Sequence, residues 1–292
     1  MRVEVLQPIS YCFGVTKAID AALKIKEEHP NNNVYFFGDL VHNKNVIDYF
    51  KDKGIEVRSF NEENAFDQLA KFFKEDIVIF SAHGHNKKYE DFLNKRGVKF
   101  FDTTCVKVKR ILNLIETSDR EIIYIGKRKH PETFASLSYS SHIYLYEYGS
   151  SFDFSKLKTD DPIVLNQSTL SFIELKQIFD DIQKTLPKAT IYDEICGAAR
   201  IRQENVLGLK DKFDLIVVVG DAKSSNTTKL FEISKKHNVN STTIMVDNVE
   251  EIKKLDLSKF KSAVLTSGTS APLVIIKQIE DYLRTLWYER RI

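Results

Sequence analysis

Three cysteines, Cys12, Cys105 and Cys196, stand 93 and 91 residues apart and cut the chain into near-equal thirds. Each falls between a short apolar run and a helical segment. Val3-Glu4-Val5-Leu6 precedes Cys12, Val98-Lys99-Phe100-Phe101 precedes Cys105, and Thr190-Ile191-Tyr192 precedes Cys196. After Cys105, Val108, Ile111, Leu112 and Ile115 recur at the spacing of one helix face. A thiol at a helix N-terminus is biased toward thiolate, the form that binds metal. Three such thiolates in a pseudo-threefold fold would converge on one axis and suit a metal cluster with one position left open. Two other readings stand beside this one. A buried cysteine often serves as a small hydrophobe. Zinc would want four ligands at short spacings, which only His83-Gly84-His85 approaches.

A second set of polar side chains collects in loops that follow apolar runs. It comprises His42, Asn43, His83, His85, His130, Glu132, Ser168, Thr169, Ser224, Ser225, Asn226, Thr269 and Ser270. Short hydroxyl and amide side chains at helix N-termini bind phosphate well. A diphosphate held by neutral donors and histidines explains why these loops hold few Lys or Arg. A nucleotide is disfavoured, since neither G-x-x-x-x-G-K-[ST] nor G-x-G-x-x-G occurs in place. Taken singly the loops have plain readings. Ser224-Ser225-Asn226 could be a helix cap, and His130-Pro131-Glu132 a helix start with Pro at its first position. Lys107, Lys109 and Arg110 read as a solvated helix face, and the Phe and Tyr residues between 134 and 154 as packing.

The elements that must position these residues are legible as six apolar runs. They begin at Val34, Ile77, Ile122, Ile163, Leu215 and Ala263, and each ends in a polar loop. Runs this apolar read as strands buried on both faces, hence parallel sheet, with helices filling the intervals. Counted from the preceding cysteine, the first loop glycines lie at +26 (Gly38), +21 (Gly126) and +24 (Gly220). Each third therefore carries one cysteine and two polar loops. The expected domains are 13–103, 104–194 and 195–281, the last completed by 1–12 and 282–292. In open α/β sheets, ligands bind beyond the carboxyl ends of the strands.

Composition narrows the class. Lys and Arg number 43 against 41 Asp and Glu, a balance of +2 that does not favour nucleic acid. No apolar run approaches the ~20 residues of a membrane span. Met1-Arg2-Val3-Glu4 lacks the apolar core of a signal peptide. An odd number of distant cysteines without a C-x-x-C argues against a disulfide framework and for a reducing cytoplasm.

The ordered motifs resemble the 4-hydroxy-3-methylbut-2-enyl diphosphate reductase family, iron–sulfur enzymes that end the methylerythritol phosphate route to isoprenoids. The resemblance runs through Cys12-Phe13-Gly14-Val15, Val41-His42-Asn43, Ser81-Ala82-His83-Gly84 and Asp102-Thr103-Thr104-Cys105. It continues through His130-Pro131-Glu132, Gln167-Ser168-Thr169-Leu170-Ser171 and Ile195-Cys196 with Arg202-Gln203. It closes with Ser224-Ser225-Asn226 and Ser270-Ala271-Pro272. It implies an α/β trefoil of three pseudo-threefold-related domains with mainly parallel sheets around a central [4Fe–4S] cluster. On it, Cys12, Cys105 and Cys196 ligate three irons and one iron stays open. His42, His83, Ser224, Ser225, Asn226 and Ser270 hold the substrate diphosphate, His130 faces the ligand, Ser168 contacts the substrate hydroxyl, and Glu132 delivers protons. The implied substrate is an allylic alcohol diphosphate, the products isopentenyl and dimethylallyl diphosphate, and the partner a one-electron donor such as a ferredoxin or flavodoxin.

The chain departs from the family pattern at Val106, where Pro is common, at Ala199, where Thr is frequent, at Ser168, usually Thr, and at His85, usually apolar. A place near an anionic cluster and a diphosphate would raise the pKa of Glu132, while the helix start at Pro131 would lower it. Two other readings of the cysteine pattern are a quinolinate synthase-like dehydratase, which needs no external electrons, and a non-catalytic redox sensor.

Overall fold

The structure, a computed structural model, describes residues 2–38, 44–61 and 63–289. In chain order it opens with β1 (Arg2–Val5) and α1 (Phe13–Glu28). Then follow β2 (Val34–Phe37), α2 (Lys44–Asp52), β3 (Ile55–Arg58), α3 (Ala65–Leu69), β4 (Ile77–Phe80), α4 (Lys88–Arg96) and β5 (Lys99–Asp102). Next come α5 (Val106–Thr117), β6 (Ile122–Gly126), α6 (Pro131–Leu137), β7 (Ile143–Glu147), β8 (Ile163–Asn166), α7 (Phe172–Thr185) and β9 (Thr190–Ile191). The last stretch holds α8 (Gly197–Leu207), β10 (Leu215–Val219), α9 (Ser225–His237), β11 (Thr242–Val246), α10 (Val249–Lys253), β12 (Ser262–Ser267) and α11 (Leu273–Glu289).

Among the described residues the strands form three four-stranded sheets, ordered β3-β2-β4-β5, β7-β6-β8-β9 and β11-β10-β12-β1. Every pairing is parallel. The order is the same each time: second, first, third, fourth, with β1 supplying the fourth strand of the last sheet from the far end of the chain. Each cysteine follows a fourth strand: Cys12 after β1, Cys105 after β5, Cys196 after β9. The three α/β units expected from the cysteine spacing are thus present as three topologically equivalent sheets. Two compact units contain them. One holds the sheet of β1, β10, β11 and β12; the other holds both remaining sheets.

The six apolar runs and the three short runs before the cysteines all form strands. β3, β7 and β11 were not expected, and each lies at a sheet edge. Their burial is partial, as in Ile-Glu-Val-Arg of β3, because an edge strand faces water and tolerates charge. The central strands show the opposite behaviour. Leu215, Val217 and Val219 of β10 pack into one core, and Ile216 and Val218 into another on the opposite face. Ile123 and Ile125 of β6 likewise pack apart from Ile122 and Tyr124. A strand alternates its side chains, so an unbroken apolar run means two covered faces. Each such side chain contributes about 1.5–3 kcal/mol by its burial. The face of α5 matches its periodicity: Val108, Ile111, Leu112 and Ile115 are its buried residues.

Candidate active site

The shared strand order reverses its sense between the first and third strands of each sheet. There the connections leave toward opposite faces, and a crevice opens at the carboxyl ends. The register brings the relevant loops side by side. Ile125 pairs with Asn166, and the Gln167 amide donates to the Ile125 carbonyl at 2.8 Å. Val219 pairs with Ser267, and the Gly268 amide donates to the Val219 carbonyl at 2.9 Å. Phe37 pairs with Phe80. In the second and third sheets the two polar loops therefore flank one crevice.

At the crevice between β6 and β8, α6 starts at Pro131 with His130 as its N-cap. Proline suits this position because its fixed φ fits the helix and its missing N–H has no partner there anyway. The Glu132 amide donates to Nδ1 of His130 at 3.2 Å, which leaves Nε2 of the neutral ring to carry the proton. Glu132 itself is 1% exposed. Its carboxylate accepts from the Ser168 amide and the Ser168 hydroxyl, both at 2.7 Å, and from the Tyr124 hydroxyl at 3.4 Å. Burial pushes this carboxyl up to about 7, against the pull of the Ser168 hydroxyl and amide, Tyr124 and Lys107. A carboxyl poised near neutrality can both give and take a proton.

The neighbouring loop after β4 brings His83 to the same place. The His83 and His130 rings stand perpendicular with centroids 5.8 Å apart. Gly84 adopts a φ of +85°, and a Cβ there would meet Val108, Leu112 and Ala135 at 3.3 Å. Glycine is needed because the loop lies directly on α5 and α6. The Cys105 amide donates to the Ala82 carbonyl at 3.1 Å, which ties the second cysteine to the histidine loop. Cys105 then caps α5 in an extended conformation, and its side chain does not bond to the helix amides.

In the other unit, α9 starts at the crevice between β10 and β12. Ser224 is its N-cap and accepts from the Thr227 amide at 3.4 Å. Ser270 donates to the Ser224 hydroxyl at 3.3 Å, so hydroxyls from both loops meet at the helix start. Asn226 is 3% exposed, and neither atom of its amide has a partner among the described residues. Leaving a buried donor or acceptor unpaired costs about 1–3 kcal/mol, so this side chain calls for a polar ligand. Thr227 wedges between the two loops. A Cβ on Gly220 or Gly268 would lie 2.6 or 2.1 Å from its hydroxyl oxygen. Cys196 caps α8 in extended conformation, and the Cys12 amide donates to the Thr269 carbonyl at 2.9 Å. All three cysteines are outside disulfides and half-buried.

The expected site residues divide as follows. His83, His130, Glu132 and Ser168 come together beside Cys105 in one unit. Ser224, Ser225, Asn226 and Ser270 come together in the other, which also carries Cys12 and Cys196. His42 lies outside the described residues. Ser224 and His130 are helix caps, as the plain reading expected. His85 does not join the polar set. Its ring stacks on Phe80 at 3.8 Å and bonds to Glu90 at 2.9 Å. A flat ring on an apolar ring does the work of the apolar residue usual there. Val106 occupies the first position of α5, where proline is also at home.

Lys107 corrects the expectation of a solvated face. It pairs with buried Glu194 at 2.5 Å, and Arg110 approaches the same carboxylate at 3.4 Å. Sequence reasoning also passed over Tyr124, which read as core, and Gln167. The Gln167 side chain accepts from the Lys127 amide at 3.0 Å and donates to Thr169 at 2.7 Å. An acidic residue two positions before Cys196 was the available signal for Glu194. Among the described residues no three His, Cys, Asp or Glu side chains gather around one point, as a single zinc ion would require. Nor is any helix among them long and apolar enough to cross a membrane.

A family model described as LytB protein matches residues 3–284. A 4-hydroxy-3-methylbut-2-enyl diphosphate reductase of Malacoplasma penetrans is 34% identical over 292 residues, covering 97% of both chains. One from Fusobacterium nucleatum is 35% identical over 289 residues, covering 96% of this chain and 34% of that longer protein. The chain thus spans about a third of the Fusobacterium relative and nearly all of the Malacoplasma one. The structure of a Plasmodium falciparum diphosphate reductase superposes with a TM-score of 0.83 at 22% identity, covering 98% of this chain and 87% of that one.

Proposed function

The chain belongs to the LytB protein family, and on that footing we propose that it reduces 4-hydroxy-3-methylbut-2-enyl diphosphate to isopentenyl and dimethylallyl diphosphate. The observation that carries this reading is Glu132: a fully buried carboxyl near neutral pKa, held by Ser168 at the head of a crevice lined by histidines.

The reaction breaks the allylic C–O bond. The oxygen leaves as water after gaining one proton. Two electrons and a second proton complete the new C–H bond. Hydroxide leaves poorly, so a positioned acid is required. Glu132 supplies the proton, and the Ser168 hydroxyl, 2.7 Å away, orients both carboxyl and substrate oxygen. His130, fixed by the Glu132 amide, and His83 beside it offer neutral donors to the ligand. Ser224, Ser225, Asn226 and Ser270 bind the diphosphate at the start of α9, where backbone N–H groups and the helix dipole favour an anion. The unpartnered Asn226 amide supports that assignment. His42 completes the set by its place in the first loop.

The donor set fits a [4Fe–4S] cluster. Cys12, Cys105 and Cys196 are soft thiol ligands outside disulfides, and each follows an equivalent fourth strand. In a cluster each thiolate ligates its own iron, so the cysteines need not share one ion. When bound, such a cluster supplies electrons singly and an iron without a protein ligand. We assign the threefold domain division of 13–103, 104–194 and 195–281 with both chain ends to the same design. A ferredoxin or flavodoxin is the expected electron source, and the cytoplasm the expected setting. The test is anaerobic preparation, iron and sulfide counts, and a reductant-dependent assay on the allylic diphosphate. Turnover without reductant would favour a dehydratase instead.

A further inference from the structure

Arg202 is buried, at 2% exposure, midway along α8. Among the described residues no carboxylate pairs with it. One terminal nitrogen donates to the Ala198 carbonyl and the other to the Ser10 carbonyl, each at 2.8 Å, and its Nε has no partner. A buried guanidinium without a counter-ion is costly unless negative charge stands nearby. Burial pushes Arg202 below its ordinary value, and the negative forms of Cys12 and Cys196 pull it back up. Its hydrogen bonds also join two cysteine-bearing segments. Ala198 lies in the first turn of α8, capped by Cys196. Ser10 lies two residues before Cys12 and holds a φ of +67°, a left-handed conformation that a serine rarely adopts. Such a backbone persists only where surrounding contacts enforce it. Here three do so: the Ser10 amide donates to Ser267 Oγ at 2.8 Å, its carbonyl accepts from Arg202, and the Cys12 amide donates to Thr269.

We propose that Arg202 is a positioning residue for two of the metal-binding thiolates, clamping the Cys12 loop against the helix that carries Cys196 and holding a permanent positive charge beside both. The proposal rests on the reading of these cysteines as cluster ligands. It also accounts for the choice of arginine: the planar fork reaches two carbonyls at once and cannot deprotonate.

The test uses Arg202→Met and Arg202→Lys in the full chain. Amide hydrogen exchange is followed residue by residue in the cluster-free protein. The midpoint potential and iron content are measured after anaerobic reconstitution. In R202M, exchange of the Cys12 amide should quicken about tenfold, the loss of one hydrogen bond to a charged donor, while the Cys105 amide in the other unit stays unchanged. The potential should fall, because reduction adds negative charge that Arg202 no longer offsets. A tenfold change in the reduction equilibrium corresponds to about 59 mV for one electron. R202K keeps the charge but not the fork. It should restore the potential and leave the exchange fast; should R202M not fold, R202K alone decides the clamp through exchange. Wild-type exchange and wild-type potential in both variants would overturn the proposal. If wild-type protein takes up no iron while R202M still exchanges faster, the cluster reading fails and the clamp is supported.

Discussion

Replacing Glu132 by Gln should change how the protein's stability depends on pH. The carboxyl sits near pKa 7 in the folded chain, against an ordinary value of 4.5. Below about pH 4.5 both folded and unfolded chains hold the proton, and nothing is lost. Between 4.5 and 7 the unfolded chain releases it while the folded chain does not, so unfolding becomes more favourable. Above 7 the loss is complete. Each pH step of one across that window is worth about 1.4 kcal/mol, so wild type should lose about 2–3 kcal/mol between pH 5 and pH 8 through this group alone. Gln keeps the size and hydrogen-bonding reach but does not titrate. The wild-type minus variant difference therefore cancels every other ionisable group. For a folding body of this size, it corresponds to roughly 5–10 °C in melting temperature. Anaerobic melting curves of both proteins at pH 5 and pH 8, with equal iron content, measure it. Melting temperatures that run parallel across that range would refute the raised pKa, and with it the argument that burial prevails over the Ser168 donors.

The same substitution should lower turnover by about 10²–10⁴-fold with the cluster intact, the usual scale for a lost general acid; near wild-type turnover would remove Glu132 from the chemistry. Serine at Cys12, Cys105 or Cys196 should each strip most of the iron, and full iron in all three variants would end the cluster reading. Alanine at Asn226 or His83 should weaken diphosphate binding by about 1–3 kcal/mol, seen by calorimetry, since each change removes a buried donor. Gly268→Ala should cost about 1–3 kcal/mol by overpacking, because its new Cβ would stand 2.1 Å from the Thr227 hydroxyl oxygen. Adding Thr227→Ala should recover part of that loss in melting experiments, and no recovery would show that the contact is not the cause.

Much of the architecture is local information. A run such as Leu215–Val219 declares two buried faces, because strand side chains alternate and none of the five is polar. His130-Pro131-Glu132 declares a helix start, because proline excludes any later helical position. The cysteine spacing, with a strand before each and a helix after, is enough to expose the threefold repeat. The edge strands β3, β7 and β11 escaped because half-exposed strands mix charge with apolar residues, and only a paired neighbour distinguishes them from loop.

The sequence by itself determined which residue types stand at the strand ends, and hence the donor set: three thiols, short hydroxyls, histidines and one carboxylate. Tertiary structure decided what state those groups are in. Glu132 is poised near neutrality because burial raises its carboxyl further than Ser168, Tyr124 and Lys107 lower it. His85 left the site because Phe80 lies beneath its ring. Lys107 is drawn partly out of solvent because Glu194, 87 positions away and buried, pairs with it. Arg202, a bare motif residue in the sequence, became a clamp because Ser10 is brought to it from 192 positions away. Burial and charge are sums over neighbours distant in the chain, so they appear only once the chain has folded.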